Sequence, residues 1–330
     1  MAEWLYEQGI GEARAALIGH GRIIEAIVER DDISPRAGAV VEARLQTLVI
    51  PRRRAIMMLA DGTAALMEPV PAGLAEGART HVLVTRESIP ETGRPKLPRV
   101  QATNLALRTA QTLRERLALR GRVRDLLPGG ADLLEDAGWS EVIDEAMRGE
   151  ISFPGGALRI SLTPAMTLID VDGPLPPDEL AQAGAAAAGH AIRRLGLAGS
   201  IGIDLPGTSG KAARQKAAEA LDSALPQPFE RTAVNGFGFL QIVRRRERPS
   251  LAEQLQADRP LAAALHLLRQ AERATGHGVM TIAAHPTVID RIGSRPDWVA
   301  MLERRTAAPI RLSAVAETPI SGGHVSREQL

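Results

Sequence analysis

The chain has 330 residues, long enough to bury a sizeable core without staples, and its lack of cysteine excludes disulfides, thiolate zinc sites and cysteine nucleophiles. Forty basic against 39 acidic side chains leave a formal charge of +1, so a grip on any polyanion must come from local clusters. The opening MAEWLYEQGIGEARAAL shows no signal-like apolar stretch, and no later run nears the ~20 apolar residues of a membrane helix, so a cytoplasmic protein without membrane contact is expected.

Residues 12–30 alternate as a hairpin, bent at Gly19, His20 and Gly21. From Gly38 to about Thr85, short apolar runs separated by prolines, glycines and Asp61 predict a small all-β barrel. The stretch Glu87 to Pro98 reads as a loop. Helical periodicity then runs from Asn104 to about Leu119 and again over Trp139–Met147. ALRISL from Ala157 and MTLIDV from Met166 predict two strands joined at Thr163 and Pro164. Pro177 starts an alanine-rich helix, SIGIDL from Ser200 is a buried strand, Ser209 to Ala224 is helical, and Arg231 to Val243 is extended. The order βαβαβ predicts an α/β layer. Beyond Ser250, one helix to Ala274, the strand VMTIAA, a helix around Trp298 and PIRLSAV predict a small α/β unit of its own.

Asp170 and Asp204 each end an apolar strand, with one helix between them. If the strands are neighbours, both carboxylates emerge at one sheet edge, where α/β proteins place their sites. Two converging carboxylates suit magnesium, with manganese as its substitute, and such an ion activates water against a phosphodiester. Asp172 falls on the same strand face as Asp170. An acid after a strand is also a common turn former or helix cap, so spacing alone leaves the metal site open.

Neighbouring motifs add specificity. LTPAMTLIDVDG from Leu162, AGSIGIDLPG from Ala198 and NGFGFLQIVRRRERPSL from Asn235 resemble, in order and spacing, three strands of the ribonuclease E/G family. The resemblance covers roughly residues 140–251, with weaker similarity on both sides. It implies an α/β (α+β) multidomain fold. The implied parts are an N-terminal hairpin (1–35) packing on a ribonuclease H-like remnant (101–156), an abbreviated S1/OB-like barrel (36–100), a DNase I-like catalytic region (157–252) and a small C-terminal domain (253–330). It further implies magnesium ligation by Asp170 and Asp204, and hydrolysis of single-stranded RNA to 5′-phosphate and 3′-hydroxyl ends. Asp172 stands where the family usually has an asparagine that orients the scissile phosphate, a departure that makes it a third ligand or a repulsive charge. The family's paired-cysteine zinc link is missing, so no zinc is expected and any homodimer must form without it. No match to a 5′-phosphate pocket is found, so sensing of 5′-monophosphate is expected to be absent or weak.

For RNA contact the residues expected are Phe237, Phe239, Arg244, Arg245 and Arg246, with Lys211 on the helix after Asp204. As alternating strand positions, Arg244 and Arg246 share one face and Arg245 the other. Between Glu7 and Ser152, Trp139 is the one aromatic besides histidines, so the barrel lacks a stacking platform. It either grips backbone through Arg52, Arg53 and Arg54 or is structural, and the structural role is favoured. His190, His277 and His285 have no expected part in catalysis. Two rival readings stand. LIDVDGPL from Leu168 resembles the signature of haloacid-dehalogenase-type phosphatases, with Asp170 as nucleophile and Asp172 as acid, though Pro174 replaces the usual threonine. Alternatively, the chain is a relative that binds RNA without cutting it.

Overall fold

A computed structural model describes residues 2–91, 93 and 95–327. Three strands open the chain: Glu3–Gln8 (β1), Glu12–Gly19 (β2) and Arg22–Arg30 (β3). The β2–β3 hairpin is the one expected, its bend made by His20 and Gly21, both at positive φ. β1, unanticipated because so short a run carries little periodicity, pairs antiparallel with β2.

The barrel consists of Val40–Ile50 (β4), Arg54–Leu59 (β5), Ala64–Met67 (β6), Arg79–Arg86 (β7) and Arg99–Ala102 (β8), closed in the order β4-β5-β6-β8-β7. Its interior is Leu45, Met57, Met67, Val82, Val84 and Val100 among others, with no aromatic ring. Between β7 and β8 the expected loop carries one bridge, Ile89 with Lys96.

The helix expected from Asn104 is only Leu113–Ala118 (α1). Two local interactions end the earlier stretch. Arg108 exchanges both backbone hydrogen bonds with Val40 in a single antiparallel bridge, which takes the chain out of helix there. Thr112 and Glu115 then form a capping box, with the Glu115 N–H donating to the Thr112 hydroxyl at 3.2 Å and the Thr112 N–H to the Glu115 carboxylate at 2.8 Å. Val123–Leu126 (β9), Leu133–Asp136 (α2) and Trp139–Arg148 (α3) follow, α3 as expected. β9 pairs parallel with β1, completing the sheet β3-β2-β1-β9.

The second open sheet comprises Glu150–Phe153 (β10), Gly156–Leu162 (β11), Thr167–Asp172 (β12), Gly199–Asp204 (β13), Glu230–Arg231 (β14) and Phe239–Arg244 (β15), ordered β10-β11-β12-β13-β15-β14. Only β12 and β13 are parallel neighbours; the helix between them is Pro177–Arg194 (α4), and Lys211–Ala224 (α5) follows β13. The extended segment expected over 231–243 is interrupted, because Asn235 turns the chain before β15. Alternate residues Leu158, Ile160, Ile169, Val171, Ile201, Ile203, Leu240 and Ile242 are buried on one face. α4 packs on β11 and β12, and its Gly184 lies against Val171.

In the tail, the single helix expected to Ala274 is two, Leu251–Ala257 (α6) and Arg259–Arg273 (α7). Asp258 breaks it by accepting from the Leu261 N–H at 3.0 Å, with Pro260 in the new first turn. Then come Met280–Ala284 (β16), Pro286–Gly293 (α8), Pro296–Thr306 (α9), Ile310–Ala314 (β17) and His324–Arg327 (β18), in a sheet ordered β17-β16-β18.

The chain gathers into two compact units: residues 1–32, 117–147 and 255–330, and residues 33–116 with 148–254. The tail expected to stand alone therefore shares its unit with the N-terminal strands, and Ile10 sits in the core formed by α7, β16, α8 and α9. The reason is electrostatic as well as apolar. Arg14, 2 % exposed, contacts Glu7 and Asp132 at 2.6 Å each, Arg273 reaches Glu7 at 2.6 Å, and Arg269 pairs with Glu12. Trp139 lies under the Arg14 guanidinium, 5.3 Å from it, so the one aromatic of that region is core and not a base platform.

The same unit holds His266, whose pKa burial lowers to about 4, with Arg269 and Arg14 adding to the shift against Asp132. Its folded value lies below the unfolded one, near 6.5. Stability is thus complete above pH 6.5 and is lost as pH falls from there towards 4, because the unfolded chain takes the proton first. His266→Gln should flatten that acid limb by an amount on the order of 2 kcal/mol, read from denaturant midpoints across the range. An unchanged limb would assign the acid sensitivity elsewhere.

Candidate functional site

β12 alternates strictly, with Thr167, Ile169 and Val171 buried and Leu168, Asp170 and Asp172 exposed. Apolar residues facing α4 force that register, since a one-residue slip would send the carboxylates into the core. β13 lies parallel beside it with Asp170 opposite Asp204. Neighbouring strands are ~4.8 Å apart, so the two carboxyl groups share one face and one end of the strand pair. The face is open to solvent. The strand from Ser200, expected to be buried, is thus covered on one side, and α4 packs on that opposite face of the sheet.

Asp172 follows on the same face, its carboxylate 3.8 Å from the Arg159 guanidinium, and Arg159 is itself the antiparallel partner of Asp170. Partial desolvation raises the Asp170 pKa above its ordinary value, the like charges of Asp172 and Asp204 raise it further, and Arg159 opposes them. The cluster therefore holds excess negative charge that a cation would relieve.

Phe239 is the antiparallel partner of Asp204, and its ring crosses over Gly202 towards Leu168. A Cβ on Gly202 would stand 2.5 Å from that ring, so glycine at this position leaves the ring its place. The turn before β15 is organised by Asn235, whose side-chain oxygen accepts from the N–H groups of Phe237 and Phe239 at 2.9 and 3.0 Å. Gly238 takes a φ of 87° there, within a tight approach to the Leu205 carbonyl. This turn presents Phe237, 90 % exposed. α5 begins at Lys211 after the short loop that leaves Asp204, and Asp178 of α4 ties that loop by accepting from the Ser209 N–H and hydroxyl at 2.8 and 2.5 Å.

Asp170, Asp204, Asp172 and Phe239 are thus brought together, while Phe237 stands on the turn before β15 and Lys211 begins α5 after the loop that leaves Asp204. The arginines are not. Arg244 pairs with Gly199, at the far end of β13 from Asp204, and donates to the Leu197 carbonyl at 2.9 Å. β15 stops at Arg244, so Arg245 and Arg246 lie beyond the strand. Arg245 pairs with Glu247 at 3.1 Å, and Arg246 with Glu253 in the capping box that Ser250 and Glu253 form for α6. Sequence reasoning missed Arg159, Gly202 and Asn235. Arg159 was legible as an exposed position in an alternating strand, but its partner was not. His190 is exposed on α4, and His285 caps α8 by accepting from the Thr287 N–H.

The donor set is two hard carboxylates with a third alongside, which fits magnesium completed by water and phosphate oxygens. Among the described residues, no group of three or more histidine, aspartate or glutamate side chains is placed to hold a metal ion. Among the same residues no helix is long and apolar enough to cross a membrane. Compared with models of known families the sequence matches none, and compared with curated proteins it finds no match either.

Proposed function

We propose that the chain is a metal-dependent endoribonuclease similar to the ribonuclease E/G family, cutting single-stranded RNA at the face that carries Asp170 and Asp204. In this reading residues 157–252 are a DNase I-like catalytic region, 36–100 an S1/OB-like barrel and 101–156 a reduced ribonuclease H-like part. The supporting observation is the register that sets two carboxylates side by side on an open sheet face.

Asp170 and Asp204 would hold magnesium, or manganese in its place. Such an ion, when bound, supplies an activated water and offsets charge on the phosphodiester. Around it, Phe237 offers an exposed ring on which a base stacks, a contact contributing ~1–3 kcal/mol per base. Phe239 walls the site beside Asp204. Arg159 compensates Asp172, so the third carboxylate need not repel the phosphate that the resemblance would have an asparagine orient. Lys211 adds a cation beyond Asp204. The phosphatase reading is disfavoured because Pro174 stands where that signature has a threonine.

The test is cleavage of an end-labelled single-stranded RNA. Fragments bearing 5′-phosphates should appear with magnesium, vanish with chelator and return when magnesium is restored. Cutting indifferent to chelator, or intact RNA alongside hydrolysis of p-nitrophenyl phosphate, sinks the reading. Binding without cutting would instead make the chain an RNA-binding relative.

A further inference from the structure

The far end of β13 opens on a cavity of about 920 Å³ between the barrel and the end of β15. Six cations line it: Arg54, Arg86 and Arg99 from barrel strands, Lys96 from the loop before β8, and Arg245 and Arg246 beyond β15. Glu91 is the one carboxylate among its described lining residues. In a chain of net charge +1 this is a marked concentration.

The cleft is built, not incidental. Glu68 holds Arg54 at 2.7 Å and Arg99 at 3.5 Å, fixing two guanidinium groups along the barrel wall. Lys96 pairs with Glu91 and donates to the Pro164 carbonyl at 2.8 Å, joining the barrel loop to the β11–β12 turn. Arg86, partly buried, donates to the Leu97 carbonyl at 2.6 Å, while its Nε has no hydrogen-bond partner. Burial and the like charges of Arg99 and Arg246 lower the Arg86 pKa to about 10. Keeping Arg86 charged at this position opposes folding, and a bound anion would relieve it.

We infer that this cleft binds the backbone of the same single-stranded RNA, at phosphates several nucleotides from the bond cut at Asp170 and Asp204. The inference rests on the ribonuclease reading for its choice of polyanion. The cleft borders Gly199, and Asp204 lies five residues along β13, a span of ~16 Å. At ~3.4 Å per stacked nucleotide this spans roughly five nucleotides. The barrel then grips RNA with its cationic edge, where it meets the sheet, and needs no aromatic platform. Substrates too short to reach from the aspartates to the cleft should be cut poorly.

The experiment is fluorescence anisotropy of a labelled oligouridylate of about 12 nucleotides in chelator, as a function of salt. Arg86→Gln with Arg99→Gln should weaken binding at least roughly tenfold and lower the salt slope by about 1.4, at ~0.7 per lost phosphate contact. The thermal midpoint should hold or rise, since like charges are removed. Arg245→Gln, on a side chain 77 % exposed, changes the cleft without risk to the fold and should weaken binding in the same direction. Arg52→Gln with Arg53→Gln, on the β4–β5 turn outside the cleft, should leave affinity unchanged. Parent affinity and salt slope in the cleft variants, or loss confined to the turn variants, overturns the inference. Cleft-dependent binding by a parent protein that leaves RNA uncut with magnesium upholds the cleft and defeats the ribonuclease reading alone.

Discussion

Asp170→Asn should abolish RNA cleavage and, in chelator, raise the unfolding temperature of its unit. The first effect follows from losing one of the two carboxylates proposed to hold the ion and is expected to be on the order of a thousandfold or more in rate. The second follows from charge. The folded-state pKa of Asp170 lies above its ordinary value, through desolvation and the nearby Asp172 and Asp204. A raised carboxyl pKa means the ionised group opposes folding at neutral pH, and that stability is regained as pH falls through the folded value. The neutral amide removes that opposition, a gain on the order of 2 °C given the solvent exposure of the face. Magnesium should raise the parent's midpoint by linkage and move the variant's far less. Asp204→Asn should lose cleavage equally. A variant that cuts at the parent rate removes the two aspartates from the chemistry. A variant that loses activity together with several degrees of stability would make them structural.

Arg14→Ala should destabilise the other unit by about 3–5 kcal/mol, the largest stability effect expected in the molecule. Arg14 is buried and bridges Glu7 and Asp132, and Glu7 is fully buried. Removing the guanidinium leaves Glu7 with Arg273 alone and uncovers Trp139. Glu7→Gln should cost less, because the amide keeps a hydrogen bond without an unpaired charge. The double variant should fall short of the sum, since both residues belong to one network. Denaturant midpoints measure all three. A cost under about 1 kcal/mol for Arg14→Ala would place the network among weak surface pairs.

Local signals carried much of the fold. His20 and Gly21 mark the first hairpin, the alternation in TLIDVD sets the face of β12, and Pro177 starts α4. Signals went astray where a single residue overrode periodicity. Asn104 to Gln111 has helical spacing, yet Arg108 pairs with Val40 and Thr112 resets the helix start. Asp258 likewise divides one apolar run into α6 and α7.

What the sequence by itself determined is the chemistry available: two aspartates closing apolar strands, no cysteine for zinc, and few rings for stacking. Strand periodicity also determined that both acids must leave the core, because Ile169 and Ile203 have to enter it. Only the tertiary structure decided which charges meet. β13 settles beside β12 in the register that opposes Asp170 to Asp204, β15 carries Arg245 and Arg246 to the barrel edge and away from the aspartates, and Arg14 finds Asp132 across more than a hundred residues. Charges act through distance in space, and separation along the chain does not encode it.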